Sequence, residues 1–177
     1  EMDTTELVQK AHMVCTLLED DGVFPNNGHL TMLVYKGALL LKPDDDSSII
    51  EKLFESNNWS NTWKNGVFDY HHYHSNTHEV MAVFSGSADL QVGGSLGVCL
   101  EIERGDVLIL PAGVAHKCLK GSDDFIVIGA YPEGKKQDMN YGKEGERPVA
   151  DQNILKVPVP KTDPVYGEKG PLVQHWE

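Results

Sequence analysis

Arginine is nearly absent from this 177-residue chain, which holds only Arg104 and Arg147. Sites that clamp phosphate ordinarily use guanidinium forks, so the shortage counts against a sugar-phosphate substrate, with lysine the only substitute. Positive charge is short in general. Against 27 Asp and Glu stand 15 Lys and Arg, and the formal net charge of −12 repels nucleic acid and anionic membranes. Cysteine is sparse too: Cys15, Cys99 and Cys118 are odd in number and have no C-x-x-C spacing. That excludes a disulfide framework or zinc ribbon and makes a reducing cytoplasm the expected location. No apolar run approaches the length of a membrane span. The N-terminal EMDTTELVQK is too acidic and polar for a secretory leader.

What remains is an ordinary globular composition, 40% hydrophobic and 24% charged. The length suits one domain with a real core. We expect residues 1–177 to form that domain, with a barrel core at about 60–132 and an extended arm over 133–177.

Residues 5–18 read two ways. Leu7, Val8, Ala11, Val14, Cys15 and Leu18 recur at helical spacing, yet His12 to Leu18 also suits a short strand stopped by Glu19-Asp20-Asp21-Gly22. Leu30 to Leu41 reads as extended, with a break at Gly37. One helix follows: Ser48 and Glu51 form an S-x-x-E capping box, and Ile49, Ile50, Leu53 and Phe54 make one apolar stripe. From Trp59 onward the pattern predicts short strands: Val67–Tyr73, Glu79–Phe84, Ala88–Val92, Val98–Ile102, Asp106–Leu110, Ala115–Leu119 and Phe125–Tyr131. Such spacing indicates an all-β sandwich or barrel. Trp59 and Trp63 are expected to pack against the outer helix. Prolines keep the tail from long elements, so Ile154, Val157, Leu172 and Trp176 should anchor an arm over the barrel.

Four of the eight histidines crowd into Gly66–Gly86: His71, His72, His74 and His78, with Glu79 next. Imidazole and carboxylate are the ligands of zinc, manganese, iron and nickel. Residues two apart share a strand face, so His72 and His74 point one way, with Phe68 and Tyr70 behind them. Glu79, Met81 and Val83 share a face of the next strand. His71 falls out of phase and is expected outside. A one-residue slip in the turn would exchange Glu79 for His78. A fourth ligand is offered by Gly105 to His116, where a strand runs into a Pro-x-Gly turn. Cys118, two residues past His116, should face the interior, as a wall residue or a thiol ligand.

These two segments resemble the cupin motifs. The first, G-x5-H-x-H-x(3,4)-E-x6-G, falls on Gly66, His72, His74, Glu79 and Gly86. The second, G-x5-P-x-G-x2-H-x3-N, falls on Gly105, Pro111, Gly113 and His116, with Lys120 in place of the asparagine. The asparagine is not a metal ligand in the family. LEDDGVFPNN, HHYHSNTHEV, GDVLILPAGVAHK, GAYPEG and DPVYGEKGPLVQHW resemble the YjlB-like single-domain cupins over nearly the whole chain. The resemblance implies an all-β jelly-roll barrel (a double-stranded β-helix) of six to eight strands, with one short outer α-helix. It favours strand over helix for His12–Leu18. It implies one divalent transition metal per chain, zinc, manganese, iron or nickel, on His72, His74, Glu79 and His116, and it implies a homodimer. It supplies no substrate.

Such a ligand set leaves open positions on the metal, so the expected partner is a small oxygen-bearing molecule. Dioxygenase-type chemistry is favoured, because the inward residues are apolar and arginine is scarce. The alternatives are an isomerase or epimerase of a sugar-like substrate, with Glu79 or His78 as base, and a non-enzymatic barrel that binds a metal and a small ligand.

Overall fold

The computed structural model describes residues 6–177; residue 5, at the start of the two-way reading of 5–18, lies outside them. The chain order is β1 His12–Leu18, β2 Asn27–Lys36, α1 Ser48–Ser56, β3 Trp59–Asn65, β4 Glu79–Ser85, β5 Ser87–Val92, β6 Val98–Glu103, β7 Val107–Leu110, β8 His116–Gly121, β9 Ile126–Pro132, α2 Val149–Lys156 and α3 Pro171–His175. Six strands form one sheet in the order β1-β2-β7-β4-β9-β3, and three form a second, β6-β5-β8. The pairings within them are antiparallel. This is the jelly-roll architecture the motifs imply.

The central strand β4 shows how the layers divide. It is buried on both faces, and its alternation sends Val80 and Ala82 one way and Met81 and Val83 the other. Val80 and Ala82 join Ile50, Leu53 and Phe54 of α1 and Leu172 and Trp176 of the tail, so helix and tail cover the outside of the large sheet. Met81 and Val83 meet Leu90, Val92 and Ile102 of the small sheet, inside the barrel. Burying an apolar side chain of this size contributes about 1.5–3 kcal/mol, and both layers draw on it.

Several expectations need correction. The capping box does not form: Ser47 is the N-cap of α1 without a side-chain bond, and Ser48 donates its hydroxyl to Asp46 at 3.0 Å. Val67–Tyr73 is not a strand. The strand lies upstream in β3, where Gly66 donates its N–H to the Asn65 side chain at 2.8 Å just beyond the strand's end. Isolated bridges from His72 to His116 and from Tyr73 to Asn140 are what remains of pairing in that stretch. The arm is not wholly extended, since α2 and α3 form within it. Leu172 and Trp176 are its buried anchors, while Ile154 and Val157 are only half-buried. The helical spacing of residues 5–18 is misleading: His12–Leu18 is a strand at the sheet edge, so Val14 and Leu17 stay exposed. No helix among the described residues is long and apolar enough to cross a membrane.

Candidate metal centre

Three histidines meet at the mouth of the barrel. His72 and His116 exchange backbone hydrogen bonds, His72 N–H to His116 O at 3.2 Å and the reverse at 3.0 Å, which sets their rings 4.0 Å apart between centroids. His74 is tied to the second motif through its carbonyl, which accepts the Gly113 N–H at 2.8 Å. Gly113 has φ +94°, and a Cβ there would run into the Asn26 backbone carbonyl, so this turn requires glycine. The ligand-capable nitrogens of His72, His74 and His116 all lie within 4.8 Å of one another, and all three residues are buried.

The ring orientations are fixed from outside. Each Nδ1 faces a backbone carbonyl: His72 that of Tyr70 at 3.1 Å, His74 that of Asp138 at 2.6 Å, His116 that of Val114 at 3.1 Å. A carbonyl can only accept, so each neutral ring carries its proton on Nδ1. The Nε2 lone pairs are left free. Glu79 Oε1 enters the same space, 3.4 Å from His74 Nε2 and 3.3 Å from His116 Nε2, buried and without a hydrogen bond of its own. Lone pairs and a carboxylate oxygen facing one another require a cation or a proton between them.

The acid–base properties follow. Burial pushes the His72 imidazole down to about 3. Burial lowers His74, but the Glu79 carboxylate and Asp138, whose carbonyl accepts from the ring, together outweigh it and hold His74 above the usual range. Burial would raise Glu79, yet the attraction of His74 and the nearness of both ring Nε2 atoms hold its carboxyl well below the usual range. Burial, and then the Glu79 charge, raise the Tyr131 phenol, which stays protonated.

His78 turns the other way. It shares the face of Val80, accepts the Ala112 N–H at 2.9 Å, donates Nε2–H to the Pro158 carbonyl at 3.1 Å, and packs on Trp176. Burial drops its pKa to about 4. Both nitrogens are therefore engaged away from the cavity. His71 also lies outside it, against Phe24.

The cavity in front of the histidines is about 360 Å³. Met81 lines it as expected. Phe68 reaches it only at the rim, half-exposed and stacked on Tyr70, so neither aromatic forms an interior wall. Cys118 does not line it. It is partly buried against the inner core, and burial raises its thiol pKa, which fits a wall residue and not a thiolate ligand. Trp63 corrects a further expectation. Trp59 packs under α1, but the register slips between Ser60 and Trp63, and Asn61 sits at φ +57°. That bulge reverses the phase and sends Trp63 into the cavity. Residues not foreseen at the site are Trp63, Tyr131, Gln137, Asp138 and Met139. Asn61, a residue type tolerant of positive φ, is the one sequence hint of the bulge.

Comparison with known proteins agrees with this architecture. The Cupin family pattern matches residues 56–139. A relative from Bacillus subtilis (strain 168), Uncharacterized protein YjlB, is 42% identical over 157 residues, covering 89% of this chain and 92% of that protein. The chain therefore belongs to the cupins and, among them, to the YjlB-like group. More distant solved structures include an acireductone dioxygenase from Bacillus anthracis with a cadmium ion in its active centre. It is 18% identical with TM-score 0.41, covering 57% of this chain and 71% of that one. A variant of Bacillus subtilis oxalate decarboxylase is 18% identical with TM-score 0.36, covering 63% of this chain and 22% of that one.

Proposed function

We infer that the protein is a metal-dependent enzyme that acts on a small oxygen-bearing substrate. His72, His74, His116 and Glu79 would hold one divalent transition metal. The observation that carries this is the orientation of the three rings: every Nδ1 is committed to a carbonyl, so three Nε2 lone pairs and one buried carboxylate oxygen converge. That donor set suits zinc, manganese, iron or nickel. A metal so bound supplies Lewis acidity and, if redox-active, dioxygen chemistry.

Dioxygenase-type chemistry is the better supported of the two reaction classes. An isomerase needs a base near the substrate carbon, and His78 is held outside the cavity with both nitrogens engaged. Glu79 would then have to serve as both ligand and base. The chain's own residues bind and orient the substrate: apolar walls from Val67, Met81 and Met139 keep water out, while Tyr131 holds its proton beside Glu79.

We extend the proposal to a homodimer in a reducing compartment, which the unpaired Cys15, Cys99 and Cys118 suit. The deciding experiment is metal analysis after anaerobic purification, with oxygen uptake screened across diols, diketones and sugars. The wild-type protein should carry about one metal per chain, and the His72→Ala, His116→Ala double variant should carry none. Unchanged metal content in that variant would make the site wrong.

A further inference from the structure

The chain has three tryptophans, and they do not behave alike. Trp59 donates its indole N–H to the Thr162 carbonyl at 3.0 Å, and Trp176 donates to that of Thr31 at 2.9 Å. Trp63 Nε1 is buried and has no partner among the described residues. It is also the tryptophan that lines the cavity in front of the histidines. Tyr131 lies near enough for the indole to temper its pKa, but the N–H makes no well-formed bond to it.

The position is built into the fold. Trp63 pairs with Gly129 across β3 and β9. A Cβ on Gly129 would collide with the five-membered edge of the indole, at Nε1 and Cε2. The glycine in this buried strand makes the seat that lays the ring along the barrel wall. A buried N–H without a partner costs about 1–3 kcal/mol, so its placement in a ligand cavity points to an acceptor on the ligand.

The rest of the lining describes that ligand. Apart from the candidate metal-site residues, the cavity's one ionisable cation among the described residues is Lys64, and its ammonium sits over the outer ring of Phe84, 5.8 Å from the centroid. No cation is left to meet an anionic group away from the histidines. Val67, Met81 and Met139 offer apolar and thioether surface instead, with Phe68 at the rim and the uncharged Asn65 and Gln137 beside them.

Resting on the metal reading above, we propose that Trp63 is a ligand-recognition residue, its indole N–H donating to an oxygen of a small molecule whose body is uncharged and largely apolar. Gly129 is a positioning residue that acts through Trp63.

Zinc-loaded, 15N-indole-labelled protein tests this with benzohydroxamate as probe. One of the three indole N–H resonances should move downfield on titration, and that resonance should be missing from Trp63→Phe. Calorimetry should show Trp63→Phe binding the probe about tenfold more weakly at unchanged zinc content, and Trp63→His, which keeps a ring N–H, recovering to within about threefold of wild type. In the wild-type protein, 4-carboxybenzohydroxamate should bind at least about tenfold more weakly than benzohydroxamate. An unmoved Trp63 resonance with near-equal affinity of wild type and Trp63→Phe would overturn the donor role. Equal binding of the two probes would overturn the ligand class. A wild-type protein that holds no zinc would instead overturn the metal reading, and this proposal with it.

Discussion

His74 donates its Nδ1–H to the backbone carbonyl of Asp138, 64 residues further along the chain, at 2.6 Å. The carbonyl is itself clamped. The Asp138 carboxylate accepts the Ser75 N–H at 2.7 Å and the Ser75 hydroxyl, and its own N–H is donated to the Asn76 side chain at 3.0 Å. Asp138→Ala keeps the carbonyl but removes the carboxylate clamp. We expect metal affinity to fall about tenfold, the lower end of what outer partners of metal-bound histidines contribute. Competition against a chelator of known affinity measures it. Unchanged affinity would mean that the barrel positions His74 without the strap that carries Asp138.

Metal uptake should release protons. Glu79 holds the His74 pKa above its usual value, so near neutral pH the metal-free protein keeps a proton that a metal must displace. His72, pushed down to about 3 by burial, has none to give. Affinity should therefore decline as pH falls through the raised His74 pKa. Titration calorimetry in buffers of different ionisation enthalpy reads the released protons directly. Glu79→Gln should shrink the release. A binding enthalpy independent of buffer would contradict the arrangement.

The candidate ligands come together because two local rules place them. Strand alternation puts Glu79 with Met81 and Val83 on the inner face and His78 with Val80 on the outer, and the Pro-x-Gly turn delivers His116. The ambiguity between Glu79 and His78 was one of turn register, which sequence spacing alone does not fix. What escaped depends on non-local geometry. The bulge at Asn61 moves Trp63 from the outer layer into the cavity, and a two-residue period cannot show it. The strap at Gln137–Met139 has no periodic pattern, so its contact with His74 appears only in three dimensions. In α2 only Ala150 is buried, too little of a stripe to announce a helix.

His78 should make the protein acid-sensitive. Its folded pKa is depressed to about 4 by burial, against about 6.5 when unfolded. Below 6.5 the unfolded chain takes up a proton that the folded one refuses. Stability is therefore lost as pH falls from about 6.5 to about 4, by about 3 kcal/mol for this residue. His78→Leu should be less stable at pH 7, because the Ala112 N–H and Pro158 carbonyl lose their partner. It should also show a shallower decline toward pH 4.5. Urea melts of both proteins at the two pH values give the comparison, and parallel declines would remove His78 as the cause.

Asp163 holds the tail onto the sheet. It is fully buried, accepts the Tyr35 hydroxyl at 2.5 Å, and takes the backbone N–H groups of Val165, Tyr166 and Leu172 at 2.8, 3.0 and 3.1 Å. Burial, then the carboxylate, push the Tyr35 phenol well above its usual value, so it remains the donor. Asp163→Ala would strand these donors in the interior, at a cost of about 3–5 kcal/mol, or a fall in Tm of about 10 °C. The candidate metal ligands lie on β4, β8 and the loop before β4, not on the tail beyond Asp163. Limited proteolysis of the variant should therefore cut first between Val157 and Trp176 and leave a fragment that still binds metal. Initial cleavage within β4 or β9 would show that Asp163 supports the barrel itself and not only the arm.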